Sequence, residues 1–198
     1  MLVFFDERLV FLSVPKTGTT AWQQGLADRA DIVVSDPPEL KHAPVYRYNR
    51  WFRPMFEKVC GVEMEVMAVM REPVSWLGSW YRYRRRPFMA GRPNSTQDVD
   101  FETFVDGYMR GQRPPYAEVG SQAKFLERQP NGTGVDHLFR YEDQDSLRAF
   151  LESRLGGAVD LPGIANASPE ASMKLSAGLR AKLERKCTTE FDLYASIG

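Results

Sequence analysis

The stretch Arg8-Leu9-Val10-Phe11-Leu12-Ser13-Val14-Pro15-Lys16-Thr17-Gly18-Thr19-Thr20 decides how this chain folds. Residues 8–14 form an apolar run of strand length, residues 15–20 are polar and turn-forming, and residues 21–29 carry a helical pattern, so the segment reads strand, loop, helix. Three further strands are predicted outward from it. Residues 31–34 end in the turn-prone Ser35-Asp36-Pro37-Pro38; residues 65–70 lead through Pro73 into a helix over 74–85; residues 135–141 precede a helix over 144–155 that stops at Gly156-Gly157. Strands alternating with helices predict an α/β fold, a parallel sheet flanked by helices, with ligands bound beyond the carboxyl ends of the strands. Residues 88–98, holding Gly91, Pro93, Asn94 and Ser95, read as an exposed loop with the composition of a lid; residues 112–116 read as a second break and residues 170–198 as a closing helical stretch. With no internal repeat or low-complexity tract, the chain reads as one domain over residues 1–198.

Composition narrows the function classes. At 198 residues with 43% hydrophobic residues the chain can bury a core, which excludes a disordered protein, and two Cys exclude a disulfide scaffold. No window approaches the roughly 18 consecutive apolar residues of a membrane span, and the opening run is broken by Asp6, Glu7 and Arg8 where a leader would need an apolar centre. The expectation is a cytoplasmic protein in which Cys60 and Cys187 are reduced thiols and the sequons at Asn94, Asn131 and Asn166 are chance matches. The 26 basic and 26 acidic residues balance overall, yet 11 basic and 4 acidic residues fall between Lys41 and Arg92, leaving that segment at +7 and the remainder at −7. A concentrated positive segment in a neutral chain points to an anionic ligand, with a solvated, ion-paired face as the competing reading.

Two segments carry the chemistry. Between strand and helix, Val14-Pro15-Lys16-Thr17-Gly18-Thr19-Thr20 exposes successive backbone N–H groups at a helix start, with Gly18 allowing close approach, Lys16 supplying charge and Thr17, Thr19 and Thr20 supplying hydroxyls. That is a phosphate or sulfate cradle, and it is not a Walker A loop, because Lys16 precedes the glycine. Arg71 follows directly on the strand over 65–70, so its guanidinium emerges at the ligand edge of the sheet, and Ser79 lies about two helical turns on. His42 is a candidate general base, with Glu39 or another carboxylate as its competitor; His137 falls inside an apparently buried strand and reads as a packing residue. Lys41 is either a sulfate or acceptor contact or a solvated side chain. The run Tyr81-Arg82-Tyr83-Arg84-Arg85-Arg86 interleaves aromatics with arginines and reads as a flank of the anion site or as a solvated face. Trp22, Trp51, Trp76 and Trp80 read as core or groove-wall residues.

Together these residues resemble the sulfotransferases that use 3′-phosphoadenosine 5′-phosphosulfate (PAPS), closest to the carbohydrate and tyrosylprotein type and its bacterial relatives. In that family a Pro-Lys-x-Gly-Thr-Thr loop cradles the 5′-phosphosulfate, matched here by Pro15, Lys16, Gly18, Thr19 and Thr20, and an Arg with a Ser eight positions later holds the 3′-phosphate, matched by Arg71 and Ser79. The resemblance extends weakly to Gly120-Ser121-Gln122, to Phe139-Arg140-Tyr141-Glu142-Asp143 and to Phe191-Asp192-Leu193-Tyr194. It implies a P-loop-NTPase-like sulfotransferase fold, PAPS as sulfuryl donor without a metal, and in-line transfer onto a hydroxyl or amine acceptor with Lys16 stabilising the leaving 5′-phosphate oxygen. The acceptor would be a small molecule or carbohydrate, favoured as anionic by the basic rim; neither nucleic-acid binding nor stable membrane insertion is expected. Two rivals remain in the sequence: a P-loop-type kinase, and a non-catalytic nucleotide- or polyanion-binding module.

Overall fold

The apolar triplets Leu2–Phe4 and Leu9–Phe11 are separated by Phe5-Asp6-Glu7-Arg8, and Arg8 takes φ 52°, so the chain turns back on itself before the cradle loop is reached. In the computed structural model, which describes residues 1–160 and 171–198, these are β1 (Leu2–Phe4) and β2 (Leu9–Phe11). There follow α1 (Thr19–Leu26), β3 (Ile32–Val33), α2 (Pro38–Lys41), α3 (Val45–Arg47), α4 (Arg53–Lys58), β4 (Glu65–Met70), α5 (Pro73–Arg84), α6 (Phe101–Tyr108), α7 (Gln122–Leu126), β5 (His137–Arg140), α8 (Gln144–Leu155), α9 (Ala177–Lys186) and α10 (Thr188–Ala195). The described chain separates into two compact units, Met1–Arg71 with residues 122–160 and Ile197–Gly198, and Glu72–Ser121 with residues 171–196. Neither is a contiguous stretch, which is why the sequence shows no boundary.

The first unit holds the sheet, in the order β3-β1-β2-β4-β5. β2 pairs parallel with β4, and β4 with β5, whereas β1 runs antiparallel to both β2 and β3. The α/β class stands, but the sheet is mixed where a wholly parallel one is expected. The cause is β1, a strand of three residues hidden in the apolar opening, which inserts between β2 and β3 as the first arm of a hairpin. One face is sealed by α1 and α8, whose Trp22, Leu26, Leu147 and Leu151 pack with Phe4, Phe11, Met67 and Val69. At about 25 cal/mol per Å² of apolar surface removed from water, this burial is the main force holding the strands in register. Gly156, at φ 69°, caps α8 in the left-handed conformation the Gly-Gly stop implies. β5 is an edge strand and only half-buried, so His137 is not the buried packing residue expected. Its Nε2 lies 2.7 Å from Glu65 Oε2, and its ring packs 4.7 Å from that of Phe150.

The second unit has its own core. Trp76, Leu77 and Tyr81 of α5 meet Phe101, Phe104, Val105 and Tyr108 of α6 and Leu183 of α9. α5 begins on Pro73, with the Glu72 carboxylate accepting from the Ser75 N–H at 2.7 Å. After a short 3-10 turn over Pro87–Met89, residues 90–98 lie outside helix and strand but are tied down: the Thr96 side chain is fully buried and donates to Tyr81 O at 2.7 Å, and Gln97 Nε2 donates to Arg85 O at 3.2 Å. The closing helical stretch is two helices broken at Cys187; its predicted start at Glu170, like the sequon at Asn166, lies outside the described residues. Cys60 and Cys187 are both free thiols.

Candidate functional site

Parallel pairing of β2, β4 and β5 brings the residues after each strand to one edge of the sheet in the first unit. After β2 comes the loop Pro15 to Thr20; after β4, Arg71; after β5, Tyr141, whose N–H donates to Met70 O at 2.7 Å.

The loop is built around two left-handed residues, Lys16 at φ 69° and Gly18 at φ 74°. Glycine adopts that conformation freely, but a lysine there is held by its surroundings at a cost of about 1–2 kcal/mol. Thr17 is fully buried and its hydroxyl donates to Val14 O at 2.9 Å; the Thr19 hydroxyl reaches the same carbonyl at 3.5 Å. These two hydroxyls therefore pin the loop rather than face outward, and what they leave for a ligand is backbone N–H. α1 starts at Thr19 with Gly18 as its N-cap and no side-chain cap, so its first turn presents N–H groups and the positive end of the helix dipole. The Thr20 hydroxyl instead accepts from Lys41 Nζ at 3.5 Å.

Arg71 is clamped at its backbone and stacked at its side chain. Its N–H donates to Gln122 Oε1 at 2.9 Å, and Gln122 Nε2 donates back to Arg71 O at 2.8 Å. Its guanidinium lies 4.3 Å from the centre of the Tyr141 ring and donates through Nη1 to Lys16 O at 3.4 Å. Tyr141 also closes over the loop: a Cβ at Gly18 would sit 3.0 Å from Tyr141 Cε2. Arg71, Tyr141 and the loop from Pro15 to Thr20 are thus one packed group at the sheet edge.

His42 follows α2 and is half-buried, with Nδ1 2.7 Å from Ser13 O. A carbonyl only accepts, so Nδ1 carries the proton and Nε2 is the lone-pair nitrogen of the neutral ring. Burial pulls the His42 pKa below its ordinary 6.5; the bond to Ser13 opposes this, and the positive charges of Lys41 and Lys16 reinforce it. Glu39, its competitor as base, is exposed on α2, and its backbone carbonyl accepts from Arg47 Nη1 at 2.9 Å.

Within one unit, Lys16, Gly18 and Arg71 are packed together through Tyr141, Lys41 lies against Thr20 and His42 against Ser13, with Thr17 and Thr19 pinning the loop. Sequence reading missed the roles of Gln122 and Tyr141, visible only as members of supportive motifs. Ser79 lies buried on α5, in the second unit. The Tyr81 to Arg86 run is structural rather than a polyanion flank at two of its arginines. Arg84 is buried and donates to the carbonyls of Pro115, Tyr116 and Glu118 at 2.6–2.8 Å, with its pKa lowered by burial, and Arg85 Nη1 donates to Thr96 O at 2.9 Å. Trp22 and Trp76 are core residues, but Trp51 is 51% exposed. Among the described residues no three His, Cys, Asp or Glu side chains are grouped to hold a metal ion, and no helix is long and apolar enough to cross a membrane.

No protein-family model and no curated protein matches this chain. Among solved structures it is similar to mouse sulfotransferase SULT7A1 complexed with PAP, with a TM-score of 0.44 and 17% identity over 96% of this chain and 66% of that one.

Proposed function

We propose that this protein is a PAPS-dependent sulfotransferase, moving the sulfuryl group in line onto a hydroxyl or amine acceptor and releasing adenosine 3′,5′-bisphosphate. The observation that carries the reading is the packed group at the sheet edge: an uncapped helix start, Lys16 in a left-handed turn, and Arg71 stacked on Tyr141 with its backbone clamped by Gln122. These are donors and cations, the set that two separate phosphate groups on one nucleotide require. The donor supplies a sulfuryl group already activated by its mixed anhydride with phosphate.

Lys16 and the N–H groups of residues 17–20 hold the 5′-phosphosulfate, and Lys16 stabilises the negative charge that gathers on the leaving 5′-phosphate oxygen. Arg71 takes the 3′-phosphate. The family resemblance assigns Ser79 to the same phosphate. Lys41, held toward Thr20, adds a second cation for the transferring group. His42, neutral and oriented by Ser13, accepts the acceptor's proton at Nε2 as the new oxygen–sulfur or nitrogen–sulfur bond forms and the bond from sulfur to the 5′-phosphate oxygen breaks, its electron pair leaving with that oxygen.

Calorimetric titration tests the reading. Wild-type protein should prefer adenosine 3′,5′-bisphosphate over 5′-AMP and over ATP with Mg²⁺. Arg71→Ala should weaken the bisphosphate by about 10- to 100-fold and erase its advantage over 5′-AMP, with Ser79→Ala losing less. Preference for ATP with Mg²⁺ would replace the proposal with a kinase.

A further inference from the structure

Between the candidate site and β4 the chain forms a continuous helical segment whose outward face is unusual. α3 passes into α4 through a π turn over Tyr48–Phe52, closed by the Arg53 N–H on Tyr48 O. The inner face is ordinary core: Val45, Tyr48 and Phe56 are buried. The outer face is apolar too. Tyr46 is 46% exposed, Trp51 51%, Met55 40% and Val59 80%. Trp51, Met55 and Val59 recur at intervals of four and form one stripe along the outer side of α4, with Tyr46 exposed on α3 before the π turn. The stripe is flanked by cations. Arg47 lies 5.7 Å from the Tyr46 ring centre and Arg50 5.9 Å from that of Trp51, while Lys58 is exposed at the far end. Glu57, the one acid of the segment, is engaged with Arg53 at 2.6 Å.

We infer that this face adsorbs to an anionic lipid surface, the helix lying in the plane of the bilayer with Trp51, Met55 and Val59 entering the headgroup boundary and Arg47, Arg50 and Lys58 resting on lipid phosphates. A wide apolar stripe bordered by basic side chains is the pattern of interfacial helices, in which an aromatic ring marks the boundary and long basic side chains reach back to the headgroups. Charge decides against two other occupants. A second copy packed by two-fold symmetry would set Arg47, Arg50 and Lys58 against their own equivalents. A nucleic acid would gain from the cations and Trp51 but nothing from Met55 and Val59, which offer neither charge nor a stacking surface. His42 is three residues ahead of this segment, so adsorption brings the candidate site to the lipid surface.

The test is sedimentation of the full chain with phosphatidylcholine vesicles, with and without phosphatidylglycerol. Wild type should bind only the anionic vesicles. The exposed double substitution Met55→Asp/Val59→Asp should abolish binding, and Arg50→Glu/Lys58→Glu should weaken it by about fivefold or more per charge, both with unchanged circular dichroism and unchanged bisphosphate affinity. Three results would overturn the inference: no binding of folded wild type to anionic vesicles; binding that survives Met55→Asp/Val59→Asp and is competed by poly(U), which is polyanion attraction; or a dimer in sedimentation velocity that Met55→Asp/Val59→Asp splits while vesicle binding is absent.

Discussion

At His42 the direction of the pKa shift and the geometry make the same statement. Burial lowers its pKa below 6.5, and the Ser13 carbonyl fixes the proton on Nδ1, so at neutral pH the ring is an uncharged base with its lone pair on Nε2. Turnover should therefore rise with pH along an acid limb whose inflection lies below 6.5, read from kcat/KM against pH. His42→Ala should lower kcat by about 10²- to 10⁴-fold with bisphosphate affinity retained, whereas Glu39→Ala should leave the profile in place. Because the folded state binds its proton less tightly than the unfolded chain, this histidine favours folding above about pH 6.5, and that contribution is lost as pH falls through the folded pKa. His42 stood out as a candidate because the chain has only two histidines and the other falls in a strand. Its tautomer was not, since it depends on Ser13 approaching from a distant part of the sequence. Thr17 is the converse case. Its residue type suggested a ligand hydroxyl, and only the fold shows the group turned inward to Val14.

The strand, loop and helix around the cradle were readable because each carries a local signal: an apolar run, a Pro-Lys-Thr-Gly turn, and a following helical period. β1 was not, because three apolar residues at the head of a continuous apolar opening have no period of their own until they pair. The Tyr81 to Arg86 run misled for a related reason. Read linearly it alternates aromatics with cations, but on α5 the spacing of three sends Tyr81 and Arg84 together into the interior. For the loop itself, Gly18 is doubly constrained, by a φ of 74° and by the Tyr141 ring 3.0 Å from where a Cβ would stand. Gly18→Ala should destabilise the protein by about 1–3 kcal/mol in chemical denaturation and weaken bisphosphate binding as well, since Tyr141 must shift and Arg71 is stacked upon it.

Over the whole molecule, stability is shared between two apolar cores that do not follow the linear order of the chain. Leu151→Ala should cost about 2–5 kcal/mol and Phe104→Ala about 3–5 kcal/mol, and hydrogen exchange should show protection falling first in the unit that carries each substitution. No hydrophobic pattern could have announced this division, because a periodic signal reports which face of an element is buried and never against which partner. The clamp between Arg71 and Gln122 has a further consequence. Arg71 is the last residue of the first unit before the chain departs and Gln122 is the first on its return, so the bonds that clamp the Arg71 backbone also fasten the two ends of the excursion together. Closing a flexible loop becomes harder by only about 0.6 kcal/mol for each doubling of its length. Insertions in the turns between α5 and α6, away from the core those helices build, should therefore cost little, while the Arg71–Gln122 clamp keeps the two ends of the excursion fastened.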